Sequence, residues 1–437
     1  CVYEEEFSFH RGFYWSPEGS KIAFYRFDES EVKEFDLTYY SNLYPDLYTF
    51  KYPKAGEKNS TVEVQVYNLD QSKSIKVDVG SEQDQYIPRI KWTQSDDELC
   101  IMRMNRLQNE LEFLIANFED VKENEVEPTR CYYEKSDTYI EINDNLIFLK
   151  DKKHFLWNSE KDGWNHIYLY DLDGNEVAQL TKGKWEVVSF YGTSQKRNEV
   201  YFSAAIDNSI SEEIYALDYS KFLKKGNKAA LANDSRKQLK ELTPNGKTNT
   251  AVFSDTFEYF INFASSAAEP EIITLRSHSG EVIRTIEDNA LLAERVSKLD
   301  LSPKEFGVLE NRTGVDLNYW MIKPPDFDTG KQYPLIFMIY GGPGSNEVTD
   351  EWEGATYLWH QMLAQDGYII VCVDPRGTKR KGRDFKHSTY LQLGKHETED
   401  FIDAAKHFGK MQYIDSERIG MMGWSYGGYM SSLCMTK

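Results

Sequence analysis

The sequence lacks the features of a disulfide-rich, zinc-binding or membrane protein. Its five cysteines are odd in number and scattered, and no two are spaced as C-x-x-C, so neither a disulfide scaffold nor a cysteine-based zinc site is indicated. No apolar run approaches the about 18 residues of a membrane-spanning helix. The runs "LIFMIY" and "YIIVCV" have the length of buried strands.

Positive charge is also scarce. Lys and Arg number 51 against 71 Asp and Glu, which gives a formal net charge of -20. Because proteins that bind phosphate backbones carry an excess of cations, nucleic acid is not an expected partner. An acidic surface would attract cationic peptides, although solvation alone explains most acidic surfaces.

The chain has neither an initial Met nor a signal peptide. We interpret its first position as an internal cut in a longer protein. The missing signal then gives no information on the cellular compartment.

Length and aromatic side chains are what the sequence has in abundance. At 437 residues the chain exceeds one ordinary domain, so two domains are expected. The 29 Tyr, 24 Phe and 9 Trp favour β structure over helical bundles.

Residues 1–288 alternate short strands with turns. The stretch "WSPEGSKIAFYRFD" (15–28) shows the pattern, because a Pro-Glu-Gly-Ser turn precedes an apolar, aromatic strand. Similar stretches begin at 92, 149, 193 and 253. Spacings of about 44 to about 77 residues are typical of propeller blades with insertions. We therefore predict an incomplete N-terminal β-propeller; a β-sandwich also alternates strands and turns but is usually smaller.

Residues 289–437 show a different pattern, after a connector with a short helix at 286–306. Strands are predicted at 317–327, 333–342, 367–377 and 418–424. A helix at 398–411 would place Phe401, Ile402, Ala405 and Phe408 on one face. Apolar strands alternating with helices indicate a parallel sheet covered on both faces.

The stretch "GWSYGG" (423–428) matches G-x-S-x-G, the nucleophile elbow of α/β-hydrolases. Gly423 and Gly427 are needed because this strand-to-helix turn is strained and crowded. A purely structural glycine turn is the alternative. The preceding strand favours catalysis, so Ser425 is the predicted nucleophile and residues 289–437 the predicted, incomplete α/β-hydrolase domain.

The stretch "MIYGGPGSN" (338–346) follows another predicted strand. In an α/β-hydrolase the loop there supplies half of the oxyanion hole, so the Tyr340 hydroxyl and the backbone N–H of Tyr426 are the predicted donors. The alternative is a glycine turn on which Tyr340 merely packs. A phosphate-binding loop is excluded because no G-K-[ST] follows.

The positions of the histidines bear on the other two members of a Ser-His-Asp catalytic triad. All eight precede Ser425, whereas in this fold the order is Ser, then Asp or Glu, then His. The segment after the serine, "YGGYMSSLCMTK", holds no acid and no histidine. We therefore expect the catalytic Asp and His beyond Lys437, and we interpret the chain as a fragment cut within its catalytic domain.

Several stretches together resemble one known family: "VYEEEF" (2–7), "YPKAGEKNSTVEVQVYNLD" (52–70), "YPLIFMIYGGPGS" (333–345), "DPRG" (374–377) and "GWSYGGYM" (423–430). The sequence is similar to the dipeptidyl peptidase IV family of the prolyl oligopeptidase clan, as a bacterial member. The resemblance implies a serine exopeptidase that releases N-terminal Xaa-Pro, and less readily Xaa-Ala, dipeptides through an acyl-enzyme. It implies no cofactor or metal, a homodimer, and a periplasmic or secreted location.

The resemblance also assigns residues. It implies that Ser425 is the nucleophile, Tyr340 the oxyanion tyrosine, and Glu5 and Glu6 the pair that binds the substrate's α-ammonium group. Trp424 and Tyr426 flank the serine and bind substrate, with Tyr426 at the border of the proline pocket. An arginine for the substrate carbonyl is expected before Cys1, and the remaining pocket residues after Lys437.

The charge pattern of "YEEEF" supports the amine-binding role. A partly dehydrated ammonium group needs more than one acceptor and a compensating charge, which two carboxylates provide. A solvated charge run is the alternative. Because neighbours on a strand point to opposite faces, we predict a helical turn at 3–6 whose Glu5 and Glu6 carboxylates converge. The active site is then expected in a cavity between the two domains.

Two other functions stay open on the sequence alone. One is another peptidase of the clan, tripeptidyl or acylaminoacyl, which would differ at the amine-binding residues. The other is a non-catalytic propeller binding protein with an inactive hydrolase domain, which would be expected to lose the serine.

Overall fold

The structure is a computed structural model that describes residues 2–224 and 234–437. Cys1 lies outside the described residues. The chain divides into two compact units, Cys1–Trp157 with Leu169–Val177 and Asn158–Tyr168 with Ala178–Lys437. In the described ranges, no helix has the length and apolar character needed to cross a membrane.

The first unit begins with a short helix, α1 (Val2–Phe7), and continues as strands. These strands are β1 (Phe13–Trp15), β2 (Lys21–Asp28), β3 (Glu34–Tyr39), β4 (Asp46–Lys51), β5 (Thr61–Asn68), β6 (Lys73–Val77), β7 (Gln85–Trp92), β8 (Glu98–Asn105), β9 (Glu110–Asn117), β10 (Glu125–Val126) and β11 (Thr129–Lys135). The first sheet has the order β1-β2-β5-β6-β10 and the second β11-β9-β8-β7. The hairpin β3–β4 forms a separate two-stranded sheet.

Alternating side chains explain why these segments form half-buried strands. In β5 the three valines Val62, Val64 and Val66 are buried, and the residues between them are partly exposed. The predicted turn before β2 is present, with Gly19 at a φ of 79° that a side chain would disfavour. The Gly19 N–H donates to the carbonyl of Ser16 and closes the turn.

A third sheet follows with the order β12-β13-β14-β15. Its strands are β12 (Ile147–Phe148), β13 (His154–Ser159), β14 (His166–Asp171) and β15 (Glu176–Gln179).

The second unit contains two further antiparallel sheets, each in chain order. Their strands are β16 (Glu186–Ser194), β17 (Glu199–Ala205), β18 (Glu213–Asp218), β19 (Lys240–Glu241), β20 (Thr248–Phe253), β21 (Tyr259–Ser266), β22 (Glu269–Ser277) and β23 (Val282–Glu287). A 3-10 helix, Arg236–Gln238, precedes β19. The predicted succession of strands and turns is thus present as five largely antiparallel sheets.

A mixed α/β region completes the second unit. Its elements are α2 (Ala290–Val296), β24 (Glu305–Glu310), β25 (Asp316–Ile322), β26 (Tyr333–Met338), α3 (Ala355–Gln365), β27 (Ile369–Val373), α4 (Arg383–Lys386), a 3-10 helix (His387–Thr389), α5 (Lys395–Phe408), β28 (Ile414–Met422) and α6 (Tyr426–Met435). The sheet order is β24-β25-β27-β26-β28.

The prediction of a wholly parallel sheet was wrong for two of these strands. Strand β26 runs parallel to β27 and β28, but β25 pairs antiparallel with both β24 and β27. A tight turn joins β24 to β25, in which Asn311 N–H bonds to the Val315 carbonyl and Gly314 has a φ of 80°. So short a connection permits only an antiparallel pair. Strand β24 itself overlaps the end of the predicted connector.

The core of this region lies on the central strands. All five residues of β27 are buried, as expected of a strand covered on both faces. From α5, Phe401, Ala404 and Phe408 enter the core. Ile402 and Ala405, predicted on the same face, are only half-buried because Ala404 occupies the central position of that face.

Candidate active site

Ser425 stands at the turn between β28 and α6, with a φ of 54° and a ψ of -117°. This conformation is strained for a residue with a side chain. The glycines around it leave no room for a methyl group. A Cβ on Gly423 would lie 2.5 Å from the carbonyl oxygen of Ile339, and one on Gly427 would lie 2.2 Å from the same atom. The crowding that the sequence predicted for this turn is therefore confirmed.

Backbone hydrogen bonds fix the turn in place. The Ile339 N–H donates to the Met422 carbonyl at 2.9 Å, and the Gly427 N–H donates to the Trp424 carbonyl at 2.8 Å. Ser425 is exposed at the N-terminus of α6, where helix N–H groups favour negative charge. Its hydroxyl forms no hydrogen bond with a histidine of the described ranges.

Tyr340 lies close to the elbow because β26 and β28 are neighbours. Its ring centroid is 6.2 Å from that of Tyr426, at 54° between the ring planes. The double glycine after it is required by space, since a Cβ on Gly342 would lie 2.6 Å from the Tyr340 ring. A Cβ on Gly341, at a φ of 72°, would lie 3.0 Å from both Phe401 and Pro375. The structure thus brings Tyr340 and Tyr426 together, and their oxyanion roles stay predictions.

Asp374 holds the loop that follows Tyr340. Its buried carboxyl group accepts from the side-chain amide of Asn346 at 2.6 Å and from the N–H groups of Glu347 and Val348 at 2.9 and 3.0 Å. Burial raises the pKa of Asp374, and these hydrogen bonds oppose the rise. Asp374 was not among the residues predicted from the sequence. Its position directly after a buried strand, in "DPRG", is the signal that could have identified it.

The segment after Asp374 links this loop to acidic residues of the β16–β19 region. The Gly344 N–H donates to the Gly377 carbonyl at 2.8 Å, and the Lys379 N–H donates to the Ser345 carbonyl at 3.0 Å. The next residue, Arg380, is buried and has a φ of 73°.

Two buried glutamates hold Arg380. Its Nη2 donates to Glu212 Oε1 at 2.7 Å, and its backbone N–H donates to Glu186 Oε2 at 3.2 Å. Burial raises the pKa of Glu186. A buried ion pair of this kind destabilises strongly when only one partner is removed.

The side chain of Tyr426 is anchored by Glu397 of α5. The Tyr426 hydroxyl donates to Glu397 Oε1 at 2.6 Å, and the carboxyl group is fully buried. Burial, and then the bond to Glu397, raises the pKa of Tyr426, so the hydroxyl stays protonated at neutral pH. Glu397 was not among the residues predicted from the sequence. The spacing of Gly394 and Glu397, typical of a helix N-terminus, is the only signal that could have found it.

The predicted amine-binding residues lie on α1, in the first unit. The predicted helical turn at 3–6 is confirmed, since α1 spans Val2–Phe7. Tyr3 and Phe7 anchor it as buried side chains, and the Ile87 N–H donates to the Tyr3 hydroxyl at 2.9 Å. Glu5 and Glu6 are exposed, and Glu6 Oε1 accepts from Gln108 at 2.9 Å. Convergence of the two carboxylates stays a prediction.

Trp424, the other predicted substrate-binding residue, is 89% exposed beside the serine. An indole so open to solvent is available for contact with another molecule or segment. Ser425, Tyr340, Trp424 and Tyr426 all belong to the second unit, whereas Glu5 and Glu6 belong to the first. The predicted cavity between the domains therefore stays a prediction.

Comparison with known proteins matches both parts of the chain. Residues 1–271 match the family model for the dipeptidyl peptidase IV (DPP IV) N-terminal region, and residues 344–437 match the prolyl oligopeptidase family. Dipeptidyl peptidase 4 of Trichophyton equinum is 30% identical over 99% of this chain and 55% of the relative. The corresponding protein of Arthroderma otae is 31% identical, over 99% and 56%.

A solved structure agrees with these matches. The crystal structure of Porphyromonas gingivalis dipeptidyl peptidase 4 is 37% identical and superposes with a TM-score of 0.89. The match covers 99% of this chain and 58% of the other. The chain thus spans a little more than half the length of the relatives that it matches. Since one family model covers more than half of its residues, the chain belongs to the dipeptidyl peptidase IV family.

Proposed function

We propose that the protein to which this chain belongs is a serine dipeptidyl peptidase that releases Xaa-Pro, and less readily Xaa-Ala, dipeptides from free peptide N-termini. The observation that carries the proposal is the elbow, in which a strained, exposed Ser425 lies between two glycines where a Cβ would clash with the backbone. Strain of this size persists at functional sites because the surrounding structure enforces it.

In the proposed reaction the Ser425 hydroxyl attacks the carbonyl carbon of the penultimate proline and loses its proton. The amine of the remaining peptide leaves with a proton, and a dipeptidyl ester remains on the serine. Water then hydrolyses that ester and releases the dipeptide. The Tyr340 hydroxyl and the Tyr426 N–H stabilise the negative oxygen of each tetrahedral intermediate. The contact between the two tyrosine rings supports this pairing.

Glu5 and Glu6 set where the substrate is cut. Two carboxylates on one helical turn bind the α-ammonium group, and an anchored amine presents only the second peptide bond to the serine. The exposure of both glutamates on a helix fixed by two buried aromatic side chains supports this role.

The nucleophile is tested in the full-length protein with a chromogenic Gly-Pro substrate. Ser425→Ala is expected to abolish release of the chromophore and labelling by a fluorophosphonate. Ser432→Ala, on the same helix, is the matched control and should change neither. Undiminished turnover by Ser425→Ala would end the proposal.

The amine-binding pair is tested by replacing Glu5 and Glu6 together with Gln. The loss of both charges should raise KM for the dipeptide substrate by about tenfold or more, in line with charge-assisted hydrogen bonds. Glu4→Gln, a neighbouring change of the same kind, is the control. A KM within twofold of the unaltered protein would instead favour another peptidase of the clan.

We also propose that the five sheets are blades of a β-propeller that ends near residue 288, with the hydrolase domain at 289–437. The succession of sheets in chain order supports this architecture. An experimental structure of the full-length protein in which these sheets form two stacked layers, as in a β-sandwich, rather than a ring around a central axis would contradict it.

A homodimer is the proposed assembly. The hairpin β3–β4 and its tip expose apolar side chains that a monomer would rarely leave in water, and Leu43 is 93% exposed. The others are Leu37, Tyr39, Tyr40, Tyr44, Leu47 and Tyr48. Leu43→Asp with Leu47→Asp should convert a dimer to a monomer in sedimentation experiments. An unaltered sedimentation coefficient would exclude the hairpin as the interface.

A further inference from the structure

We infer that Glu397 is a positioning residue for the reaction: through the Tyr426 hydroxyl it fixes the tyrosine that lines the substrate site and carries an oxyanion N–H. The inference rests on the proposed function and adds a residue to it. It concerns a side chain that does not itself touch the substrate.

The burial of Glu397 is unusual for its position. Glu397 is fully buried, although a glutamate in the first turn of a helix usually points to solvent. A buried carboxyl group costs free energy unless hydrogen bonds compensate it. In the described ranges its bonds are confined to Oε1, which accepts from the Gly394 N–H at 3.1 Å and from the Tyr426 hydroxyl at 2.6 Å. Tyr426 is thus its one side-chain partner there.

Helix capping alone does not explain the site. The bond from the Gly394 N–H to Glu397 caps the start of α5, and a solvent-exposed glutamate would form it equally well. Instead, α5 and α6 approach so closely here that a Cβ on Gly394 would lie 2.5 Å from the Tyr429 hydroxyl. This close approach buries the carboxyl group and brings it within reach of Tyr426.

The consequence is a fixed aromatic ring. Tyr426 packs between Tyr340, at 6.2 Å, and Tyr429, at 5.5 Å between ring centroids. The hydrogen bond to Glu397 holds its hydroxyl in place, and the turn at Ser425 holds its backbone N–H. Without the hydroxyl bond the ring is free to change rotamer, and the surface that contacts the substrate loses its shape.

The experiment uses the full-length protein and four variants. Tyr426→Phe removes only the hydroxyl, Glu397→Ala removes the acceptor, Glu397→Gln keeps a neutral acceptor, and the double variant combines Phe with Ala. The measured quantities are kcat and KM for Gly-Pro and Gly-Ala chromogenic substrates. Glu399→Gln, at a half-exposed position of the same helix, is the control for a charge change on α5.

We expect Tyr426→Phe and Glu397→Ala each to lower kcat/KM for the Gly-Pro substrate by about tenfold, the value of one hydrogen bond to a buried carboxyl group. The loss for Gly-Ala should be smaller, because a loosened ring penalises the larger proline. Glu397→Gln should retain activity within about threefold, because its side-chain oxygen still accepts. The double variant should lose no more than either single variant, since both changes remove one interaction.

Three results would overturn the inference: unaltered kcat/KM in Tyr426→Phe, multiplied losses in the double variant, or equal losses for the two substrates. Tyr426→Phe decides the matter even if Glu397→Ala does not fold. Ser425→Ala distinguishes failure of the inference about Glu397 from failure of the proposed function. If it is inactive while Tyr426→Phe has full activity, only the role of Glu397 fails; if Ser425→Ala is active, the proposed function fails.

Discussion

Backbone strain at Ser425 predicts an unusual reversal of stability between two inactive variants. Within a helix or strand, a glycine makes the protein less stable than an alanine would by about 0.5–1 kcal/mol, because glycine loses more backbone entropy on folding. At Ser425 the φ of 54° and ψ of -117° cost a residue with a Cβ about 1–3 kcal/mol. Glycine does not pay that cost. Ser425→Gly is therefore expected to be more stable than Ser425→Ala by about 1 kcal/mol.

The assay is equilibrium unfolding of both full-length variants in urea, followed by Trp fluorescence, with midpoints compared at equal slope. Both variants lack the nucleophile, so activity does not enter the comparison. Ser432→Gly and Ser432→Ala, inside α6, provide the control pair, in which glycine should be the less stable by about 1 kcal/mol. If Ser425→Gly is also less stable than Ser425→Ala, the strained elbow is not present.

Three further predictions concern packing and charge in the second unit. Gly427→Ala should destabilise the protein and abolish activity, because its Cβ would lie 2.2 Å from a backbone oxygen; soluble, active protein would contradict the elbow geometry. Arg380→Met should lower the free energy of unfolding by about 3 kcal/mol, because it leaves the buried Glu212 carboxylate without its cation. Adding Glu212→Gln to this variant should recover part of the lost stability, and an additive further loss would contradict the pairing. Burial lowers the pKa of His360 to about 4 in the folded protein, so the imidazole binds a proton more readily when the protein is unfolded. The free energy of unfolding should therefore fall by up to about 3 kcal/mol as the pH drops from 6.5 to 4. In urea unfolding, His360→Gln should lose that part of the pH dependence, and an unchanged profile would refute the assignment.

The strands and turns of the chain could be predicted because their signals are local. Alternation of buried and exposed residues in β5, the glycine turn at Gly19 and the apolar run of β27 each reflect neighbours in sequence. The helical turn at 3–6 was predicted from the amine-binding role that the family resemblance implies, since a strand would direct neighbouring carboxylates to opposite faces.

Strand direction was harder to predict. The sequence shows that β25 is apolar, but not that a five-residue turn makes it antiparallel to β24. The strand β24 is also largely exposed, since only Leu309 among its residues is buried. A half-buried edge strand gives a weak periodic signal, and β24 was not predicted; its first two residues fall in the predicted connector.

At the site, the residues with a sequence motif were identified and those that support them were not. Ser425 and Tyr340 stand in short glycine-rich motifs that can be recognised in the sequence, although the atoms that crowd several of these glycines belong to other segments. Glu397 and Asp374 act through contacts that join segments far apart in the chain. No local pattern records such contacts, because they depend on which helices and loops the fold brings together.

The central claim is that the protein is a serine peptidase that cuts after the second residue of a peptide with a free N-terminal amine. A pair of matched peptides tests it most directly. The full-length protein is incubated with a peptide that begins Gly-Pro and with its N-acetylated twin, and the products are identified by mass spectrometry. The account predicts that Gly-Pro is released from the free peptide, that the acetylated twin stays intact, and that Ser425→Ala cuts neither. Cleavage of both peptides at equal rates, or release of a fragment of any other length, would contradict it.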